Sequence, residues 1–169
     1  VKIGVTKAGE CGLNVTIDDI KKNSRVTDVM WGKERICNYD SPAIVNENES
    51  LFTILNSFSR NQNLNYAVKN SSGKLVGIIS LEHLKETMQI GDFAESMLAM
   101  DIMDVAKITV KPSTTLPDAY ELFETNDIDA MAIVDSDGEA LGILEKTTVD
   151  HFLHTKIIEL NRKLDELDQ

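Results

Sequence analysis

At 169 residues, with 42% hydrophobic and 27% charged residues, the chain has the composition of one folded domain, or of two small modules sharing a core. Acidic residues outnumber basic ones 28 to 17, and the net charge of -11 repels phosphate backbones, so no nucleic-acid partner is expected. No apolar run approaches the ~20 residues that span a bilayer, and the two cysteines, Cys11 and Cys37, form neither a disulfide framework nor a metal-ligand spacing.

The chain opens on a linker segment, 1–24, in which Lys2-Ile3-Gly4 and a polar loop lead to a short strand or helix before Asp28-Val29-Met30. The polar stretch Trp31–Ser41 predicts a loop. A short β segment follows at Ala43–Asn46, then a helix over Leu51–Arg60 with Ser50 in the N-cap position. Two β runs, Tyr66–Lys69 and Leu75–Ser80, flank the turn Asn70-Ser71-Ser72-Gly73 and predict a hairpin. A helix over Leu81–Thr87 closes the unit. The order then repeats: Asp101-Ile102-Met103, a β segment at Ile108–Lys111, and a helix over Leu116–Thr125 capped by Thr115, with Pro117 in its first turn. Its Leu116, Ala119, Tyr120, Leu122 and Phe123 recur at helical spacing and form one apolar face. A second hairpin, Met131–Asp135 and Ala140–Leu144 around Ser136-Asp137-Gly138, precedes a helix from Thr147 onward.

The two units superpose at a constant shift of 65 residues. Phe58 meets Phe123, Ala67 meets Ala132, Gly73 meets Gly138 and Gly77 meets Gly142. At the tripeptides the shift is 73, so the first copy carries an insertion in Trp31–Ser41. The chain is therefore a twofold β-α-β-β-α repeat, and neither half alone buries much core.

The order Val26-Thr27-Asp28-Val29-Met30, β, helix, hairpin, Gly77-Ile78-Ile79-Ser80, helix, with its second copy, resembles a tandem cystathionine-β-synthase (CBS) domain pair, or Bateman module. The likeness covers about 25–155. It implies an α+β (α/β) fold in which two repeats, 25–98 and 99–155, pack sheet to sheet about a pseudo-two-fold axis, followed by a C-terminal helix extension, 156–169. It implies a non-catalytic regulatory module, usually a homodimer, with two clefts for adenosine-containing ligands. No cofactor is required; AMP, ADP or ATP is the ligand class that the resemblance offers, with a pair of ligand-free clefts as the alternative.

The family's usual site pattern runs Gly, two apolar residues, Thr or Ser, two variable residues, then Asp. The hydroxyl meets phosphate and the carboxylate takes the ribose hydroxyls. Here the first copy is Gly77-Ile78-Ile79-Ser80-Leu81-Glu82-His83, and the second is Gly142-Ile143-Leu144-Glu145-Lys146-Thr147-Thr148. Neither keeps the full pattern. Carried over, cleft one comprises Ser80 and His83 with Thr109, Ile128 and Ala130. Cleft two comprises Thr148 and Glu145 with Ile44, Asn63, Asn65 and Tyr66. Glu145 would repel a phosphate, so cleft one is the preferred site. Set against this, Ser80 and His83 at a helix start also suit a plain cap, and Tyr66 suits a core.

No Gly-rich phosphate loop, His-Glu-x-x-His motif or nucleophile elbow occurs, and no metal site is expected from His83, His151 and His154. The linker before Asp28 resembles the stretch after the last membrane helix of CLC-type chloride channels and transporters. That resemblance implies a cytoplasmic domain at the cell membrane, belonging to a longer transmembrane transporter and modulating ion transport. The alternative is a structural dimerisation module with degenerate clefts on another transporter or an enzyme. Past the repeats, Leu153, Ile157, Leu160, Leu164 and Leu167 follow a 4-3-4-3 spacing. This seam packs either on its own module or across a dimer axis.

Overall fold

Repeated local chemistry produces repeated elements. The computed structural model describes residues 4–5, 13–14, 16–31 and 43–167; Cys11, Cys37 and all of the Trp31–Ser41 loop beyond Trp31 fall outside them. In chain order the elements are β1 (Gly4–Val5), β2 (Leu13–Asn14), α1 (Ile17–Lys22), α2 (Val26–Trp31), β3 (Ile44–Asn46), α3 (Leu51–Arg60), β4 (Asn65–Lys69), β5 (Leu75–Ser80) and α4 (Leu81–Met88). A 3-10 turn (Asp92–Ser96) leads on to α5 (Ala99–Ile102), β6 (Asp104–Val105), β7 (Thr109–Val110), α6 (Leu116–Asn126), β8 (Ala130–Val134), β9 (Ala140–Glu145) and α7 (Lys146–Leu167).

The helix starts are set by hydroxyl caps at equivalent positions. Ser50 Oγ accepts from the Thr53 amide at 3.3 Å and Thr115 Oγ1 from the Asp118 amide at 3.4 Å. The hairpin turns are likewise duplicated. Asn70 Oδ1 accepts from the amides of Ser72 and Lys74, and Asp135 Oδ1 from those of Asp137 and Glu139. Gly73 and Gly138 supply the positive φ these turns need, +82° and +81°.

The repeats form two sheets, ordered β3-β4-β5-β6 and β7-β8-β9, apart from the short antiparallel pair β1-β2. In each, the first strand runs parallel to its neighbour and the hairpin is antiparallel, with a register irregularity at the same repeat position, Val68/Lys69 and Ile133/Val134. The turns pair reciprocally: the Leu75 amide donates to Gly138 O and the Ala140 amide to Gly73 O, both at 3.1 Å. Reciprocal bonds between equivalent residues are the local mark of a two-fold. Strand β9 packs across β3 and β4, and β5 across β8, so the sheets face each other.

The helices ahead of the repeats cross over. Ile20, Val26 and Val29 are buried with Val110, Leu116, Phe123 and Leu144 of the second half. The Val26 amide donates to Thr114 O and the Thr27 amide to Pro112 O. Conversely, Ala99 and Ile102 are buried with Ile54, Phe58 and Ile79 of the first half. The shared tripeptide has a local reason: Asp28 Oδ2 accepts from the Arg25 amide at 2.7 Å, and Asp101 Oδ2 from the Leu98 amide at 2.9 Å. The same cap opens a short helix that docks on the opposite repeat each time.

Residues 146–167 form one uninterrupted helix rather than a repeat helix plus a separate extension. Leu153 is buried in the second core, and Ile157, Leu160 and Leu164 pack against it. The seam packs on its own chain, where α1 lies along α7, with Ile157, Leu160 and Leu164 half-buried; Leu167, at its end, is exposed. Among the described residues, no helix is long and apolar enough to cross a membrane.

Candidate functional site

Strand β5 ends at Ser80, the N-cap of α4, whose Oγ accepts from the His83 amide at 3.1 Å. Antiparallel register sets Ser80 opposite Asn65. On the other edge of β5 the chain between the repeats adds β6, with Asp104 opposite Ile78 and Val105 opposite Gly77. That close pairing depends on Gly77, because a Cβ there would lie 2.7 Å from Asp104 O. The path from β6 to β7 then meets the end of α6 and the start of β8 around a cleft of about 1000 Å3.

Apolar surface in this cleft comes from Leu64, Ile78, Ile108, Ile128 and Ala130. Polar groups come from Ser80, Asn65 and Asn126, and charges from Lys85, Lys107, Glu82, Asp104 and Asp129. The mixture suits a ligand with a flat apolar part and a charged or hydroxylated part.

Of the residues expected in cleft one, Ser80, Ile128 and Ala130 line the cavity, whereas Thr109 and His83 do not. Thr109 is exposed on β7, opposite Ala132, and Ile108 before it supplies the wall. His83 is turned to the chain between the repeats. Its buried Nδ1 lies 3.4 Å from Asp104 Oδ2, without hydrogen-bond geometry. Besides Glu82 of α4 and Asp129, the cleft is bordered by the Asp104 carboxylate, contributed by a segment that pattern matching along the repeats passes over. Lys85 and Lys107 were missed too. Lys85 sits on α4 five residues beyond Ser80, near enough along the chain to have flagged it, but Lys107 carries no motif.

Cleft two has a different construction. Glu145 is 5% exposed. Its Oε1 accepts from two consecutive amides, Leu64 at 2.7 Å and Asn65 at 2.8 Å, and from Asn65 Nδ2 at 3.3 Å. Charge-assisted bonds of this kind hold a carboxylate firmly. Tyr66 is a core residue: its hydroxyl donates to Ser57 O at 3.0 Å and accepts from Asn61 Nδ2 at 2.7 Å, and its ring meets Phe58 edge to face. Burial pushes the Tyr66 phenol above its usual value, the Glu145 charge adds to this, and the Asn61 bond opposes it. Ile44, Asn63 and Thr148 are half-buried, and of the six cleft-two residues only Asn65 lines the cavity, which is that of cleft one.

The model of the CBS domain matches twice, over 35–89 and 99–154. The chain belongs to the CBS domain family. This CBS pair is 28% identical over 137 residues to an uncharacterised protein of Methanocaldococcus jannaschii, MJ1426, covering 62% of this chain and 82% of that one. The solved CBS domain of a membrane protein from Sphaerobacter thermophilus superposes with a TM-score of 0.65 at 15% identity, covering 78% of this chain and 89% of the other. CBSX2, solved in complex with AMP, gives a TM-score of 0.61 at 22% identity, with 78% and 98% covered. The CBS pair of MJ0100, solved with 5'-methylthioadenosine and S-adenosylmethionine, gives 0.63 at 17%, with 79% and 98% covered. The cytosolic domain of the Mg2+ channel MgtE, solved with ATP, gives 0.54 at 21%, and this chain spans 44% of its length. These likenesses establish the tandem CBS fold.

Proposed function

We propose that this CBS pair is a non-catalytic sensor of adenine nucleotides, with cleft one as its binding site. The observation that carries the reading is the cleft itself. Its walls Ile78, Ile108, Ile128 and Ala130 provide apolar surface for a base, and among the described residues Lys85 and Lys107 are the cations on its lining, beside the carboxylates Glu82, Asp104 and Asp129. Phosphate is held there locally, against the acidic field of the whole chain. Ligands seen in relatives support the class: AMP in CBSX2, ATP in MgtE, and two adenosine sulfur compounds in MJ0100.

The parent protein, on this reading, is a membrane transporter of the CLC chloride-channel type, with the CBS pair dimeric on the cytoplasmic side and coupling ligand binding to ion transport. The pattern of residues before Asp28 supports it, as do a CBS-bearing membrane protein and a Mg2+ channel domain among the structural relatives. Calorimetric titration with AMP, ADP, ATP and S-adenosylmethionine tests the sensor. A ligand at 100 times its Kd stabilises the fold by about 2.7 kcal/mol, and Lys85→Glu should weaken nucleotide binding while Thr148→Ala leaves it unchanged. Absence of binding by all four ligands favours the structural dimerisation module instead.

A further inference from the structure

At the ends of β5 and β9 the two-fold that relates the repeats is broken by a change of chemistry. The 65-residue shift sets Glu145 on Ser80, Leu64 on Asp129 and Asn65 on Ala130. On one side Ser80 turns its hydroxyl to its own helix and, with Asp129 and Ala130, lines an open cleft. On the other side the longer Glu145 reaches across to the opposite repeat. There its Oε1 takes the amides of Leu64 and Asn65 together. Two consecutive N–H groups aimed at one oxygen form an anion-binding nest, filled here by the protein's own carboxylate.

From this we infer that Glu145 is a built-in occupant of the second cleft, making the module a one-site sensor. Leu64 and Asn65 also line cleft one, so the same side chain braces a wall of the working site. Glu145 acts there as a positioning residue: it touches the wall, not the ligand. The bonds are between repeats, 80 and 81 residues apart in sequence, so they also tie the second half to the site formed with the first. This inference rests on the sensor reading for its stoichiometry, but the carboxylate–amide contact stands apart from any ligand.

The test uses the whole chain, its Glu145→Ser variant, which introduces the residue type found at the equivalent position, and Glu145→Gln, which keeps the length and the acceptor oxygen. Calorimetry with AMP should give one site per chain in the unsubstituted protein and in Glu145→Gln, and two in Glu145→Ser. Amide hydrogen exchange, resolved by NMR, should show Leu64 and Asn65 protected in the unsubstituted protein, with exchange faster by about tenfold or more in Glu145→Ser. Two sites in the unsubstituted protein, or one in Glu145→Ser, overturns the closure. If no protein binds AMP, the sensor reading and the one-site stoichiometry fall together, and the exchange result alone decides the contact: unchanged protection at Leu64 and Asn65 refutes it.

Discussion

Replacing Gly77 by alanine tests how the chain between the repeats is seated. An added Cβ would lie 2.7 Å from Asp104 O, 2.7 Å from Met103 Sδ and 2.9 Å from Met103 Cγ. The methionine can turn away, but the carbonyl belongs to β6 and can move only with the backbone. Strand β6 pairs with β5 through just Gly77–Val105 and Ile78–Asp104, so displacing it strains half of its pairing. Overpacking of this kind costs about 1–3 kcal/mol, and at roughly 2–4 °C per kcal/mol for a chain of this size the melting temperature should fall by about 2–12 °C. Because Asp104, Val105 and Lys107 line cleft one, AMP affinity should fall as well. Urea denaturation of Gly77→Ala, Met103→Ala and the double variant provides the assay. Part of the clash is with Met103, so the double variant should be more stable than the two single losses added together. Unchanged stability in Gly77→Ala, or strict additivity in the cycle, refutes the seating described above.

Two further perturbations separate core from surface. Tyr66→Phe should lower stability at pH 7 by about 1 kcal/mol through loss of the Ser57 and Asn61 bonds. Because the folded-state phenol is raised above its unfolded value of about 10, the contribution of neutral Tyr66 is present below that value and is lost as pH rises through the folded value. Denaturation at pH 7 and pH 10.5 should therefore show a smaller alkaline loss in Tyr66→Phe than in the parent. Leu160→Asp with Leu164→Asp should destabilise the chain by more than about 2 kcal/mol, since both pack on the second core. Sedimentation equilibrium on the still-folded fraction should give an unchanged oligomeric state, and conversion of a dimer into a stable monomer would contradict the packing of α7 on its own module.

Much of the fold was legible because its causes are local and occur twice. The expected helix Leu51–Arg60 and strand Leu75–Ser80 coincide with the observed elements. The hydroxyl caps Ser50 and Thr115 and the glycines of both hairpin turns act within a few residues of where they stand. Less was legible at the site. Ser80, Ile128 and Ala130 could be brought to one cleft through the resemblance to the CBS family, but Asp104 and Lys107 belong to neither repeated pattern, and their place follows from β6 joining the edge of β5. The coincidence of Gly77 and Gly142 was visible, whereas the carbonyl that forbids a side chain at Gly77 was not.

The heptad spacing along α7 marked a buried face without saying what buries it; the answer is the second core, with α1 alongside. In the same way the Asp-Val-Met and Asp-Ile-Met tripeptides were evident as a pair, and their aspartates cap short helices by a contact three residues long. That each helix docks on the other repeat had no local signature. Sequence by itself determined the twofold β-α-β-β-α plan, since caps, turns and hydrophobic periodicity act over a few residues. Tertiary structure decided the crossed helices, the linker wall of cleft one and the Glu145 contact across the two-fold, because each joins groups distant along the chain whose meeting depends on how the two sheets pack.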